Sequence, residues 1–264
     1  MRRIALLLEY DGTAFAGSQL QPVSRTVQGD VEEAWLRFTG ETSRARFAGR
    51  TDAGVHAVGQ VATIDSERDY DARTCRTAMN HFLADDLTAR AVTDVATSFD
   101  ARRHASSRVY QYEIEDGRRR SPLSRNRAWQ RERELDADVM SEAASGLPHD
   151  ERDWAAFSGQ VPEGYPTVRV LQRCDVRRSA PHRVTVTMEA SGFLPHQVRR
   201  TVGALAEVGE GKLKPEAFVE LIDGAPGSAG PTAPSQGLTL MQVHYPPGVI
   251  DWTAGCAGDG TEEF

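Results

Sequence analysis

The sequence predicts an α+β protein. Strand-like runs such as Arg3–Tyr10 (RIALLLEY) and the alternating Ser106–Glu115 are interleaved with helix-period stripes such as Val31, Ala34, Trp35 and Phe38. Element lengths are mixed, and no internal sequence repeat stands out, which argues against a regular βα array. At 264 residues the chain is long enough for one large domain or two halves, each with a real core.

Taken in order, residues 3–10 form an apolar strand and 11–25 a polar loop with Gly12, Gly17 and Pro22. Thr26 is placed to cap a helix over Val27–Phe38, because a Thr hydroxyl accepts an otherwise unbonded N–H of the first turn. Strands follow at 44–48 and 58–64, with a glycine-rich stretch between them. Asp71 opens a helix to about Leu83 with Cys75, Met79 and Phe82 on one face, and 90–97 is a further strand. This alternation suggests a ferredoxin-like half. After the strand at 106–115 come an Arg-rich loop at 117–127, a short strand at Trp129, a helix over 135–147 and a long loop over 148–166. Residues 168–177 and 182–190 read as a hairpin, 195–207 and 215–222 as helices, and 238–245 as the last strand. The expected organisation is a half over 1–100, a second over 101–247, and an acidic, Gly-rich tail over 248–264 that is expected to be disordered.

Composition narrows the function classes. A hydrophobic content of 39% with 26% charged residues is that of a globular chain, and no apolar run approaches a membrane span. Met1-Arg2-Arg3 leads into a strand rather than a signal peptide, so the expected location is cytoplasmic. Cys75, Cys174 and Cys256 lack CxxC spacing, and the seven His are scattered without an HExxH-type cluster, so neither a disulfide framework nor a metal site is indicated.

The net charge of −7 opposes nucleic-acid binding on its face, but the charge is unevenly spread. Residues 102–133 carry ten Arg against four acids, and 168–200 carry seven Arg against two. Acids gather at 65–71, 85–86, 136–153, 207–223 and 259–263. Basic segments in an acidic chain suggest an RNA-facing surface with an acidic back. Lys212 and Lys214 are the only lysines; an acidic chain so poor in Lys is similar to those of salt-loving archaea, although a GC-rich genome also favours Arg.

The stretch from Phe47 to Val61, FAGRTDAGVHAVGQV, holds one acid, Asp52, among small residues, two positions after Arg50. A carboxylate on a glycine-lined loop between strands is well placed for chemistry. The residues alone favour a blander reading, in which Asp52 caps a helical turn over 53–57 or opens a tight turn, and Arg50 forms a minor surface ion pair.

The stretch GRTDAGVHAVGQV resembles the signature of the tRNA pseudouridine synthase A family. Four further segments match in the family's order: Tyr10-Asp11-Gly12-Thr13 with Gly17 and Gln19; Phe99-Asp100-Ala101-Arg102 through Arg108-Val109-Tyr110-Gln111-Tyr112; Phe193-Leu194 through Val198-Arg199, Val202-Gly203 and Val208–Lys212; and Ala233-Pro234 through Gly237-Leu238 and Val243–Pro246. Two departures stand out. Ser18 occupies a position usually held by Trp, and extra residues separate His149 from Trp154 where the family usually reads HDFxxF.

The resemblance implies the pseudouridine synthase fold, two ferredoxin-like halves whose antiparallel or mixed sheets join, with a central cleft. It implies an isomerase that converts uridine to pseudouridine at positions 38–40 of the tRNA anticodon stem-loop, with no cofactor and no metal, acting as a homodimer. By resemblance Asp52 is the nucleophile, Arg50 fills the gap left by the flipped base, Tyr110 lies against the uracil and is a candidate to move the C5 proton, and Arg199 pairs with the catalytic acid. His56 is at most a supporting hydrogen-bonding residue. Without the resemblance, Tyr110 would read as a core-facing strand residue and Arg199 as a helix residue reaching solvent. Arg102, Arg103, Arg118, Arg119, Arg120 and Arg125 suit contacts to an RNA backbone. The alternatives are an inactive RNA-binding protein of the same fold, or a glycosidase-type hydrolase, which ordinarily needs a second carboxylate that this loop lacks.

Overall fold

The computed structural model describes residues 1–117 and 120–252. Its elements run β1 (Arg2–Tyr10), α1 (Val27–Thr39), β2 (Arg46–Phe47), β3 (His56–Ser66), α2 (Ala72–Phe82), β4 (Leu87–Val95), β5 (Ser107–Glu115), β6 (Trp129–Gln130), α3 (Ala137–Ser145), β7 (Glu151–Asp153), β8 (Val168–Ala180), β9 (Arg183–Ala190), α4 (Gln197–Gly209), α5 (Pro215–Glu220) and β10 (Leu238–His244). Two units divide the chain: Met1–Ser106 with the residues from Leu240 on, and Ser107–Thr239. The α+β class stands. Among the described residues no helix is long and apolar enough to cross a membrane.

In the first unit the sheet order is β4-β1-β3, with β2 on the far side of β3 alongside β10. β1 pairs antiparallel with β3 and β4, and β2 antiparallel with β3, which with α1 and α2 is the ferredoxin-like arrangement. β1 is central, so its run Ile4–Leu8 is buried almost without alternation. The helix starts follow side-chain capping. The Thr26 hydroxyl accepts the Gly29 N–H at 3.1 Å, and the Asp71 carboxylate accepts the Thr74 N–H at 2.7 Å. Trp35 and Met79 are fully buried where α1 and α2 pack.

In the second unit the order is β5-β9-β8-β7, antiparallel throughout, with β6 running parallel to β5. α3 lies on β8 and packs against α4 and α5. Asp116, fully buried after β5, ties three segments together. It takes two hydrogen bonds from Arg178 of β8, at 3.0 and 2.9 Å, and the Leu135 N–H ahead of α3 at 2.7 Å. Burial alone would raise this carboxyl, but the Arg178 guanidinium and the Leu135 N–H hold it below the usual range.

Several boundaries differ from expectation. The strand expected over 44–48 shrinks to two residues, because only Arg46 and Phe47 find ladder partners on β3. The strand expected over 58–64 extends to 56–66, paired with β1 along most of its length. The strand expected at 90–97 begins at Leu87 and ends at Val95. The region 148–166 is not all loop. It holds β7 and a short 3₁₀ turn, Ala155–Phe157, that sinks Trp154 and Phe157 completely. Arg118, Arg119 and residues 253–264, most of the tail expected to be disordered, lie outside the described residues.

Candidate active site

The stretch between β2 and β3 is held by its neighbours group by group. Where backbone pairing of β2 with β3 ends, at the Ala48 N–H to Val61 carbonyl bond of 2.8 Å, a side chain takes over. The Gln60 amide of β3 accepts the Gly49 N–H at 3.3 Å and donates to the Gly49 carbonyl at 2.9 Å. Two residues on, the Ser18 hydroxyl accepts the Thr51 N–H at 2.9 Å, and the Ser18 N–H donates to the Thr51 carbonyl at 3.0 Å. The Thr51 hydroxyl meets the Tyr10 phenol at 2.8 Å. Burial pushes the Tyr10 phenol up to about 12, with its bonds to Thr51 and Gln60 acting the other way, so it stays a neutral phenol across the working pH range.

Asp52 begins a tight turn. The Val55 N–H returns to the Asp52 carbonyl at 3.1 Å, and Gly54 takes φ 78°, the left-handed value that a type II turn demands at this position. The capping alternative is therefore excluded: no helix follows Asp52, which is half-buried at the start of a reverse turn, with Arg50 exposed two residues earlier.

The glycines of the Tyr10–Gln19 segment let that loop close against the turn. A Cβ on Gly17 (φ 99°) would stand 2.8 Å from the Thr51 carbonyl oxygen. His56, 1% exposed, places Nδ1 3.0 Å from the Gly12 amide nitrogen and 3.2 Å from Asp11 Oδ1. His56 thus braces one loop against the other. Ser18, where the family usually has Trp, is buried and part of the clamp, and its hydroxyl adds one side-chain hydrogen bond to Thr51 beside the backbone bond that any residue could make there.

A second feature of the same unit is the turn after β4. Asp100 accepts the N–H groups of Arg102 and Arg103 with one carboxylate oxygen, at 2.9 Å each, and both Arg side chains stand exposed. Tyr245 bolts the turn from behind, its phenol donating to the Ala101 carbonyl at 2.7 Å and its ring packing on Phe99.

The second unit carries Tyr110 and Arg199 on regular elements. Tyr110 sits on β5 opposite Met188 of β9, 7% exposed, with its ring edge-on to Phe193 at 5.3 Å. Arg199 lies in the first turn of α4, half-buried, and its Nε donates to the Ala233 carbonyl at 2.8 Å while its own carbonyl accepts the Ala233 N–H at 3.0 Å. Just before α4, His196 adopts φ 61°, a left-handed conformation costing a non-glycine residue about 1 kcal/mol. Arg120 and Arg125 are exposed on the loop after β5. Ser124 anchors that loop to the buried Glu115.

The basic balance of 168–200 is much reduced by pairing within the unit. Arg178 pairs with Asp116, Arg173 with Asp175 and Glu189, and Arg183 with Glu113 and Glu115. Exposed arginines are better represented by Arg102, Arg103, Arg120 and Arg125.

Comparison with known proteins decides the family. A model of the tRNA pseudouridine synthase family matches residues 7–102 and 150–246, well over half of the chain. The chain belongs to the tRNA pseudouridine synthase family. It is 41% identical over 247 residues to the tRNA pseudouridine synthase A of Geobacter sulfurreducens, covering 93% of this chain and 100% of that protein. It is 41% identical to that of Roseiflexus castenholzii, covering 93% and 92%, and 40% identical to that of Methylobacterium radiotolerans, covering 94% and 100%.

Proposed function

We propose that this protein isomerises uridine to pseudouridine at positions 38–40 of the tRNA anticodon stem-loop, with Asp52 as nucleophile. The observation that carries the residue assignment is the turn itself: a half-buried carboxylate leads off from a backbone fixed on both sides, with an exposed Arg two residues away. In the reaction the N1–C1′ bond of the uridine breaks, the uracil turns, C5 bonds to C1′, C5 loses its proton and N1 gains one. The sum is an isomerisation, so no oxidant or reductant enters. A carboxylate nucleophile divides this into two easier steps.

The uridine must first leave its stack, at a cost of a few kcal/mol. Arg50 supplies an exposed guanidinium to occupy the vacated space. Tyr110 is assigned to lie on the uracil and carry the C5 proton, and Arg199 to favour the ionised Asp52 by its charge. Arg102, Arg103, Arg120 and Arg125 are assigned to phosphates, along with Arg118 and Arg119 by their place in the sequence. The working form is a cytoplasmic homodimer that one tRNA bridges.

The test is to incubate the purified protein with tRNA transcripts and analyse the products. Pseudouridine confined to 38–40 is expected. Free uracil would indicate the hydrolase instead, and tRNA binding with unchanged RNA the inactive binder.

A further inference from the structure

We propose that Gln60 is a positioning residue for Asp52 and Arg50, acting through the backbone of Gly49 and Thr51; this rests on the assignment of Asp52 as nucleophile. Gln60 is fully buried in β3, inside the run Ala57–Ala62 whose other members are Ala, Val and Gly. A buried amide costs on the order of 1–3 kcal/mol unless its groups are bonded, so where it spends its bonds is informative. The hydrogen bonds of its side chain go toward the catalytic stretch. Oε1 accepts the Gly49 N–H, and Nε2 donates to the Gly49 carbonyl and, at 3.4 Å, to the Tyr10 phenol, which in turn meets the Thr51 hydroxyl.

This geometry replaces a ladder rung. β2 pairs with β3 through Ala48, after which the chain must depart from the sheet to make the Asp52 turn. The Gln60 side chain bonds both backbone groups of Gly49 as a neighbouring strand would, at the longer reach of a side chain. Ser18 does the same for Thr51 from the other side. Gly49 and Thr51 are thereby fixed, and the residues that alternate with them, Arg50 and Asp52, are the two that the reaction uses. An error of about 1 Å in a reacting group costs roughly 10²-fold in rate, so rigidity here acts on the chemical step rather than on tRNA affinity.

The experiment compares wild type with Gln60→Glu, Gln60→Met and Tyr10→Phe. Gln60→Glu keeps the shape and loses the two donated bonds; Tyr10→Phe keeps the ring and cuts the link to Thr51. Single-turnover tritium release from C5-labelled uridine in tRNA is measured at saturating enzyme, well below each variant's Tm, alongside tRNA Kd. The expected result is a fall in the single-turnover rate of about 10–100-fold for the Gln60 variants and less for Tyr10→Phe, with Kd within about threefold of wild type. Wild-type rates in folded variants, however much Tm falls, would overturn the proposal, as would a loss confined to Kd. Should both Gln60 variants fail to fold, Tyr10→Phe and Ser18→Ala decide by the same criterion. Wild-type protein that releases no tritium would be a failure of the activity, a separate result.

Discussion

The stretch from Gly49 to Val55 and the pair β5 and α4 hold their functional side chains by different means. Tyr110 is held by a strand ladder, opposite Met188, and Arg199 by a helix whose first turn grips Ala233. Regular hydrogen bonding fixes both backbones, and of the two side chains Arg199 is also held by the Ala233 carbonyl. Asp52 has no ladder and no helix. Its backbone is fixed by borrowed side chains: Gln60 and Ser18 with help from Tyr10, each from a different segment. Asp52, the proposed nucleophile, thus depends for its backbone on polar groups distant in sequence, whereas the backbones of Tyr110 and Arg199 depend on a strand ladder and a helix. Substitutions around the turn should therefore reduce rate more than stability, and substitutions within the regular elements the reverse, except where the side chain itself touches the base.

The largest effect is expected for Asp52→Ala, which should abolish pseudouridine formation in tRNA, checked by mapping modified positions in a deletion strain complemented with either form. Next comes Tyr110→Phe. Removing the phenol proposed to handle the C5 proton should lower the single-turnover rate by about 10²–10⁴-fold with little change in Tm; a rate within threefold of wild type would take Tyr110 out of the chemistry. Gly17→Ala follows, because the added Cβ would meet the Thr51 carbonyl oxygen at 2.8 Å and the backbone is at φ 99°. It should displace the clamp and cost roughly tenfold in rate, read by the same assay. In the regular scaffold, Asp136→Ala removes the side chain that caps α3 at the Asp138 and Val139 N–H groups; about 1 kcal/mol of stability should go, with the rate unchanged.

The smallest effect concerns pH. Arg3 and Arg46 hold the Asp65 carboxyl below its usual range, through hydrogen bonds at 2.6, 3.1 and 2.9 Å. Because the folded-state value is depressed, this contribution is fully present above the unfolded value near 4 and is lost as pH falls through the folded one. Asp65→Asn should lower stability at neutral pH and flatten the acid limb in denaturant titrations; an unchanged acid limb would exclude the assignment.

Much of this was legible in the residues. Thr26, Asp71 and Asp136 mark helix starts because capping is local chemistry. The alternation around Tyr110 reports its strand for the same reason. The sequence leaves the Asp52 stretch open, since an Asp can cap a helix or open a turn; the structure shows the turn, with Gly54 where a type II turn needs positive φ. β2 and the buried Trp154 depend on partners far along the chain, which no local pattern encodes. Gln60 is a single amide in the run Ala57–Ala62, and Ser18 stands out as a departure from the family pattern, but no local pattern encodes the bonds that each makes to a distant stretch of backbone. The charge count overstated the basic character of 168–200, because it could not see that Asp116, Glu113 and Glu115, outside that segment, would pair with its arginines.

The most direct measurement is Asp52→Asn, which changes one oxygen to an amide and leaves the turn intact. tRNA Kd and single-turnover tritium release from C5-labelled uridine are taken on the same preparation. A Kd within about twofold of wild type with no detectable release is the predicted result. Release at a rate comparable to wild type would contradict the assignment of Asp52 as nucleophile.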